Sequence, residues 1–184
     1  QNGLGLGHRR LAIIDTSSLG SQPMSDKNGY AYIIFNGEIY NYKELREGLE
    51  EKGVKFKSNS DTEVILYLYL EYDHKMLDML NGIFSIAIWD TVKEEIFLAR
   101  DNLGVKPLYF LSNENVFAFS SEIKAIQDFT RNSMELDLES VSKYLTFLWC
   151  PGNGTPLKSV KKIEPGEFLR IKQGRIIESK KWFF

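Results

Sequence analysis

The chain has 184 residues, 43% hydrophobic and 26% charged, with 23 basic against 25 acidic side chains and a formal net charge of −2. This is the profile of one globular domain, and a chain of this size buries roughly 70% of the surface it would expose unfolded. It excludes a disordered tail, a fibre and a phosphate-tracking basic surface. Apolar runs such as 83–89, with Ser85 inside it, fall far short of the ~20 residues that span a bilayer.

A single cysteine, Cys150, excludes an internal disulfide and a cysteine-rich metal cage. With His8 and His74 as the only histidines, a zinc site or a Ser-His-Asp triad lacks material. No basic-then-apolar leader opens the chain, which starts at Gln1, so the native start is expected upstream. The absence of disulfides suits a reducing, cytoplasmic setting.

In chain order, residues 4–14 mix Gly, basic and apolar side chains in partial alternation and predict a strand. Residues 15–28 carry loop-forming types. The apolar and aromatic run 30–35 predicts a buried strand, broken by Asn36-Gly37-Glu38. Residues 41–53 turn helical, with Leu45 and Leu49 four apart and Gly53 as a stop signal. Ser60-Asp61-Thr62-Glu63 matches a capping box, and the helix it opens runs to about Tyr72 with Val64, Ile65 and Leu68 facing a core. A shorter helix is expected near 76–80.

Segments 82–89, 95–100, 107–111 and 116–120 read as four successive strands, separated by Asp90, Gly104, Asn113 and Asn115. Residues 121–126 allow a helical turn, and 137–147 predicts a helix capped by Asp137. A Gly/Pro loop covers 150–156, and 166–182 predicts a hairpin around Gln173-Gly174. The apolar Trp182-Phe183-Phe184 end suggests a larger parent that continues beyond it. Hairpin-like groups of strands with helices between them predict an α+β fold in stacked layers. Gly3-x-Gly5-x-Gly7 lacks the strand-then-helix context and the Lys-Ser or Lys-Thr of a phosphate loop.

Four segments in fixed order carry a resemblance. They are Gly7-His8-Arg9-Arg10-Leu11-Ala12-Ile13-Ile14-Asp15, Phe35-Asn36-Gly37-Glu38-Ile39-Tyr40-Asn41, Ser60-Asp61-Thr62-Glu63, and the run from Ala99 to Tyr109 closely followed by Ser121-Glu122-Ile123-Lys124-Ala125. Together they resemble the class II glutamine amidotransferase domain of asparagine synthetases, over nearly the whole chain. The resemblance implies an N-terminal-nucleophile hydrolase fold: α+β, a four-layer αββα sandwich of antiparallel sheets, here without its first strand. It also implies one partial domain over 1–184, with the nucleophile segment and the synthetase domain outside it.

In that family a cysteine at the mature N-terminus attacks the side-chain amide of glutamine, and ammonia leaves. By resemblance, Arg10 clamps the substrate α-carboxylate, where a lone arginine would otherwise read as an exposed strand residue. Arg9 is expected on the opposite face. Asn36 and Gly37 match the oxyanion hole, although the bare dipeptide would read as a β-turn. Glu38 belongs to the same segment and adds a polar contact. Asp61 matches the acceptor for the α-ammonium group, a role compatible with complementing a helix dipole. Ile13 is expected to offer backbone groups to the pocket. Arg100 and Asp101 read as a structural ion pair, with Gly104 and Pro107 in a rigid turn.

Cys150 lies mid-chain and reads as an ordinary loop or core cysteine, so the chain is expected to lack its nucleophile and to be inactive alone. The resemblance implies no cofactor for this domain, with ATP and Mg in the absent synthetase half. The implied partners are L-glutamine and that synthetase domain, with no nucleic acid and no membrane, and a homodimer is left open. Two alternatives stand beside asparagine synthesis: the same glutaminase serving another acceptor such as a sugar, and a non-catalytic amino-acid-binding domain.

Overall fold

Continuous apolar runs in the middle of the chain are strands buried on both faces. In the computed structural model, which describes residues 3–11, 14–130 and 135–183, they form the centre of a six-stranded antiparallel sheet. Its first strands are β1 (Met24–Ser25) and β2 (Ala31–Ile39). Two helices follow, α1 (Tyr42–Glu51) and α2 (Asp61–Tyr72), then β3 (Gly82–Asp90) and β4 (Glu95–Arg100). A smaller sheet uses β5 (Tyr109–Ser112), β6 (Phe117–Ser120) and β7 (Val160–Lys162), with α3 (Ile123–Thr130) and α4 (Leu138–Phe147) between the last two. The chain closes with the hairpin β8 (Glu167–Lys172) and β9 (Arg175–Lys181). Strand orders are β1-β2-β3-β4-β8-β9 and β6-β5-β7.

Three buried clusters define the layers. Alternate residues Ile33, Phe35 and Ile39 of β2, Phe84, Ile86 and Ile88 of β3, and Phe97 of β4 pack against Val64, Ile65 and Leu68 of α2. The opposite alternation, Ile34, Ala87, Leu98 and Leu169, meets Phe110, Phe117 and Phe119 of the small sheet. Leu111 and Val160 on that sheet's far face meet Ile126 of α3. The order is therefore helices, large sheet, small sheet, helix: the expected αββα sandwich.

Several local readings differ. Residues 4–10 form no strand; their burial alternates as in extended chain, but no neighbour supplies a ladder among the described residues. Asn36-Gly37-Glu38 does not break the strand, because full pairing with β3, Gly37 against Phe84, carries β2 through to Ile39. The capping box is only half formed. The Ser60 hydroxyl accepts the Thr62 N–H at 3.1 Å, but the buried Glu63 accepts the Lys57 and Ser58 N–H groups instead, at 2.9 and 2.7 Å. The loop before α2 folds back over the helix end and takes that carboxylate for its own backbone.

Arg100 and Asp101 do not bond each other. The guanidinium donates to the carbonyls of Lys106, Ile163 and Gly104 at 2.7, 2.7 and 2.6 Å. The Asp101 carboxylate accepts the N–H groups of Phe84, Leu103, Val105 and Lys106. Both residues organise the turn after β4. Short helical turns fill Asp73–Met79, and α3 extends further than the single turn expected. The Gln173-Gly174 hairpin forms as expected, both residues having positive φ (50° and 73°).

Candidate functional site

The outer edge of β2 organises a pocket. Strand β1 is two residues long and covers only Tyr32 and Ile33 of that edge. In an antiparallel ladder alternate N–H groups point to alternate sides, and in β2 those of odd-numbered residues point outward. The Ala31 N–H goes to Asp26 Oδ1 at 2.9 Å, the Phe35 N–H to Gln22 Oε1 at 2.7 Å, and the Ile39 N–H to Asp61 Oδ2 at 3.1 Å. The Gly37 N–H lies on this edge between the last two, and no side chain of the described residues accepts it. A Cβ at Gly37 would stand 2.1 Å from the Ile83 carbonyl oxygen, so only glycine fits here.

Asn36 and Glu38, of opposite parity, face the small sheet. The Asn36 Nδ2 donates to the Ser121 hydroxyl at 3.2 Å, which fixes the carboxamide from across the two sheets. Together with Arg10, Gly37 and Asp61, these residues line one cavity of about 560 Å³. The sequence-predicted set is thus gathered in one place, except that Ile13 lies outside the described residues. Arg9 is exposed, as expected, and stands at the rim.

Arg10 spends Nη2 on the carbonyls of Ile14 and Asp15. No acceptor for its Nε or Nη1 is found among the described residues. Gly20 is what lets the guanidinium sit there, since a Cβ on it would come 2.6 Å from both terminal nitrogens. Asp15 in turn accepts the Asn59 N–H at 2.7 Å, tying this loop to the segment that leads into α2.

Asp61 is buried at the first position of α2. Burial raises its pKa, the Ile39 and Thr62 N–H groups oppose that, and the neighbouring charge of Glu38 raises it further. A cation arriving beside Asp61 would relieve this unfavourable burial of charge.

Reading the sequence missed three contributors. Gln22 bridges the Phe35 N–H and the Thr62 hydroxyl (3.3 Å), from a loop with no motif to flag it. Ser121 opens the last segment of the resemblance, which implies no role for it. His8 lines the pocket with its Nδ1 buried and unpartnered among the described residues. Burial lowers its pKa, the Phe35 backbone works the other way, and the charge of Arg10 lowers it again. Cys150 is elsewhere, half-buried in a second groove, its thiol directed at the Ser140 carbonyl.

Comparison with known proteins agrees with this geometry. The glutamine amidotransferase domain family matches residues 1–183. Asparagine synthetase (glutamine-hydrolyzing) 1 of Bacillus subtilis is 41% identical over 180 residues, covering 98% of this chain and 28% of its own. Asparagine synthetase (glutamine-hydrolyzing) 2 of the same organism is 44% identical over 176 residues, covering 91% of this chain and 23% of its own. The chain therefore spans about a quarter of the length of these relatives. Among solved structures, the glutamine phosphoribosylpyrophosphate amidotransferase of B. subtilis superposes with a TM-score of 0.67 at 24% identity, over 95% of this chain and 34% of that one, a likeness of fold. The pocket on the β2 edge, the αββα layering and the family match together establish that the chain belongs to the glutamine amidotransferase domain family.

Proposed function

We propose that this domain binds L-glutamine in the β2-edge pocket and provides the clamp and oxyanion hole for hydrolysis of its amide. The ammonia then serves ATP-dependent amidation of aspartate by a synthetase domain, where ATP and Mg would act. The observation that carries this reading is the unaccepted Gly37 N–H, flanked by the fixed Asn36 carboxamide and sharing one cavity with Arg10 and Asp61.

A zwitterionic amino acid fits these charges. Arg10 offers positive charge and N–H donors to the α-carboxylate, and Asp61, with Glu38 beside it, offers negative charge to the α-ammonium group. The side-chain carbonyl would point at the Gly37 N–H and the Asn36 Nδ2. A cysteine thiolate attacking the amide carbon pushes the electron pair onto that oxygen, where both donors stabilise it. Collapse of the intermediate breaks the C–N bond as the leaving nitrogen takes up the proton that the thiol gave up, releasing ammonia, and water then hydrolyses the thioester to glutamate and returns the thiol. The nucleophile would come from outside these 184 residues, because Cys150 lines a different groove.

Calorimetric titration with L-glutamine, beside Arg10→Ala and Asp61→Ala, tests the binding step. Saturable binding that both substitutions weaken at least tenfold is expected. A folded chain that binds glutamine equally well with and without Arg10 would overturn the reading.

A further inference from the structure

Helix α4 stands apart from every core described above. Of its ten residues only Ser140 is buried, and none of its side chains joins the three apolar clusters. Ser140 is held by the helix cap, its hydroxyl donating to Asp137 Oδ2 at 2.7 Å. A helix of this length is marginal in water and ordinarily owes its stability to a packed apolar face. Here the apolar residues at and just beyond its C-terminal end are exposed: Leu145 is 73% accessible, Phe147 57%, Leu148 81% and Trp149 59%.

Leu148 sharpens the point. It ends the helix in the left-handed conformation, φ 61° and ψ 15°, a position glycine normally takes. A bulky side chain there is strained, and this one projects into solvent.

Leu148 and Trp149 also border a groove of about 720 Å³ that runs to Leu103. The two cations of this groove already have partners within the chain. Arg100 donates to three backbone carbonyls, and Lys162 donates to the Cys150 carbonyl and lies 5.7 Å over the Trp149 ring. What remains unmet is apolar surface. That disfavours an anionic ligand and favours a large, dry protein contact.

We propose that the 144–149 surface and its groove dock the synthetase domain, the second globular unit that the proposed function requires. The relatives' lengths argue for this occupant. Each matches nearly all of this chain with only 28% or 23% of its own, so in those proteins a domain of this kind is joined to a much larger body of polypeptide. The inference rests on the amidotransferase reading but uses residues outside the glutamine pocket.

The test mixes the chain with the remainder of B. subtilis asparagine synthetase 1, taken beyond its matched segment and first verified as folded by circular dichroism and cooperative unfolding, and measures association by sedimentation velocity. A Leu145→Asp, Leu148→Asp variant is run in parallel, since aspartate tolerates both an exposed helical site and the left-handed cap. A one-to-one complex is expected, weakened at least tenfold in the variant, with the variant's circular dichroism and glutamine titration unchanged. Three results overturn the proposal: no complex with the unsubstituted chain, equal binding by the variant, or self-association of the chain that the variant abolishes. Glutamine titration separates the two readings. An unsubstituted chain that binds glutamine but forms no complex rejects only the docking surface, and one that forms the complex but binds no glutamine rejects only the pocket assignment.

Discussion

Asp61 Oδ2 accepts the Ile39 backbone N–H at 3.1 Å, joining the first turn of α2 to the last residue of β2. This bond places a carboxylate two residues beyond Gly37, whose N–H no side chain of the described residues accepts, on the same strand edge. It also puts that carboxylate where burial disfavours its charge, with consequences for pH.

Glutamine affinity should fall on acidification at a pH above the ordinary carboxylate range. The Asp61 pKa is raised chiefly by burial, with Glu38 adding to it, so the ionised form that attracts an ammonium group is lost early. Stability runs the opposite way. A raised folded-state pKa stabilises the fold below the unfolded value, and that contribution disappears as pH rises through the folded value. Asp61→Asn should remove this group's contribution to the pH dependence of both. Calorimetry across pH 4–8 and urea unfolding over the same range measure the two effects separately.

Gly20→Ala should weaken glutamine binding although Gly20 contributes no polar group of its own. Its added Cβ would lie 2.6 Å from both Arg10 terminal nitrogens, and the flexible guanidinium must move. A loss smaller than that of Arg10→Ala is expected in a titration, with little change in unfolding midpoint. Unaltered affinity would show that the position of Arg10 is unimportant.

Gly37→Ala should act first on stability. The new Cβ would meet the Ile83 carbonyl oxygen at 2.1 Å and the Phe84 Cα at 2.8 Å, both backbone atoms of the central strand β3. Overpacking of this kind costs about 1–3 kcal/mol, which a denaturant titration resolves. A fully stable Gly37→Ala chain would mean that β2 and β3 separate there at little cost.

Ser121→Ala should leave glutamine binding nearly unchanged yet free the Asn36 carboxamide, whose Nδ2 donates to the Ser121 hydroxyl at 3.2 Å. In a polypeptide carrying the nucleophile, slower turnover with little change in KM is expected, partly restored by Ser121→Thr. For Asn36→Ala the loss should approach the ~10²–10³ seen when one oxyanion donor is removed.

Far from the pocket, Asp73 should govern part of the acid stability. Burial pushes its pKa up, but hydrogen bonds and charge from Lys93 and Arg170 outweigh this and hold it at about 2. A depressed folded-state value stabilises the protein above the unfolded carboxylate pKa, and the contribution is lost as pH falls toward 2. Solvent screens this partly exposed side chain, so the effect is modest. Asp73→Asn should flatten the unfolding midpoint between pH 5 and pH 2 relative to the parent chain.

Much of the architecture was legible in sequence because its signals are local. The 3.6-residue spacing of Leu45 and Leu49, the Ser60 and Asp137 caps and the Gln173-Gly174 turn each act within a few residues, and each formed where expected. Motif order brought Arg10, Asn36, Gly37, Glu38 and Asp61 into one reading before their contacts were known. Tertiary structure decided what depends on partners distant in the chain. Strand pairing carried β2 through Asn36-Gly37-Glu38 against the turn preference of that dipeptide, since each residue gained a neighbour on β3. Residues 4–10 gained no such neighbour and stayed unpaired despite a strand-like alternation. The Asn36–Ser121 and Gln22–Phe35 bonds close over 85 and 13 residues, and no periodicity or spacing encodes them. The free Gly37 N–H is likewise a property of the sheet edge: it exists because β1 stops after two residues and leaves that edge open to a ligand.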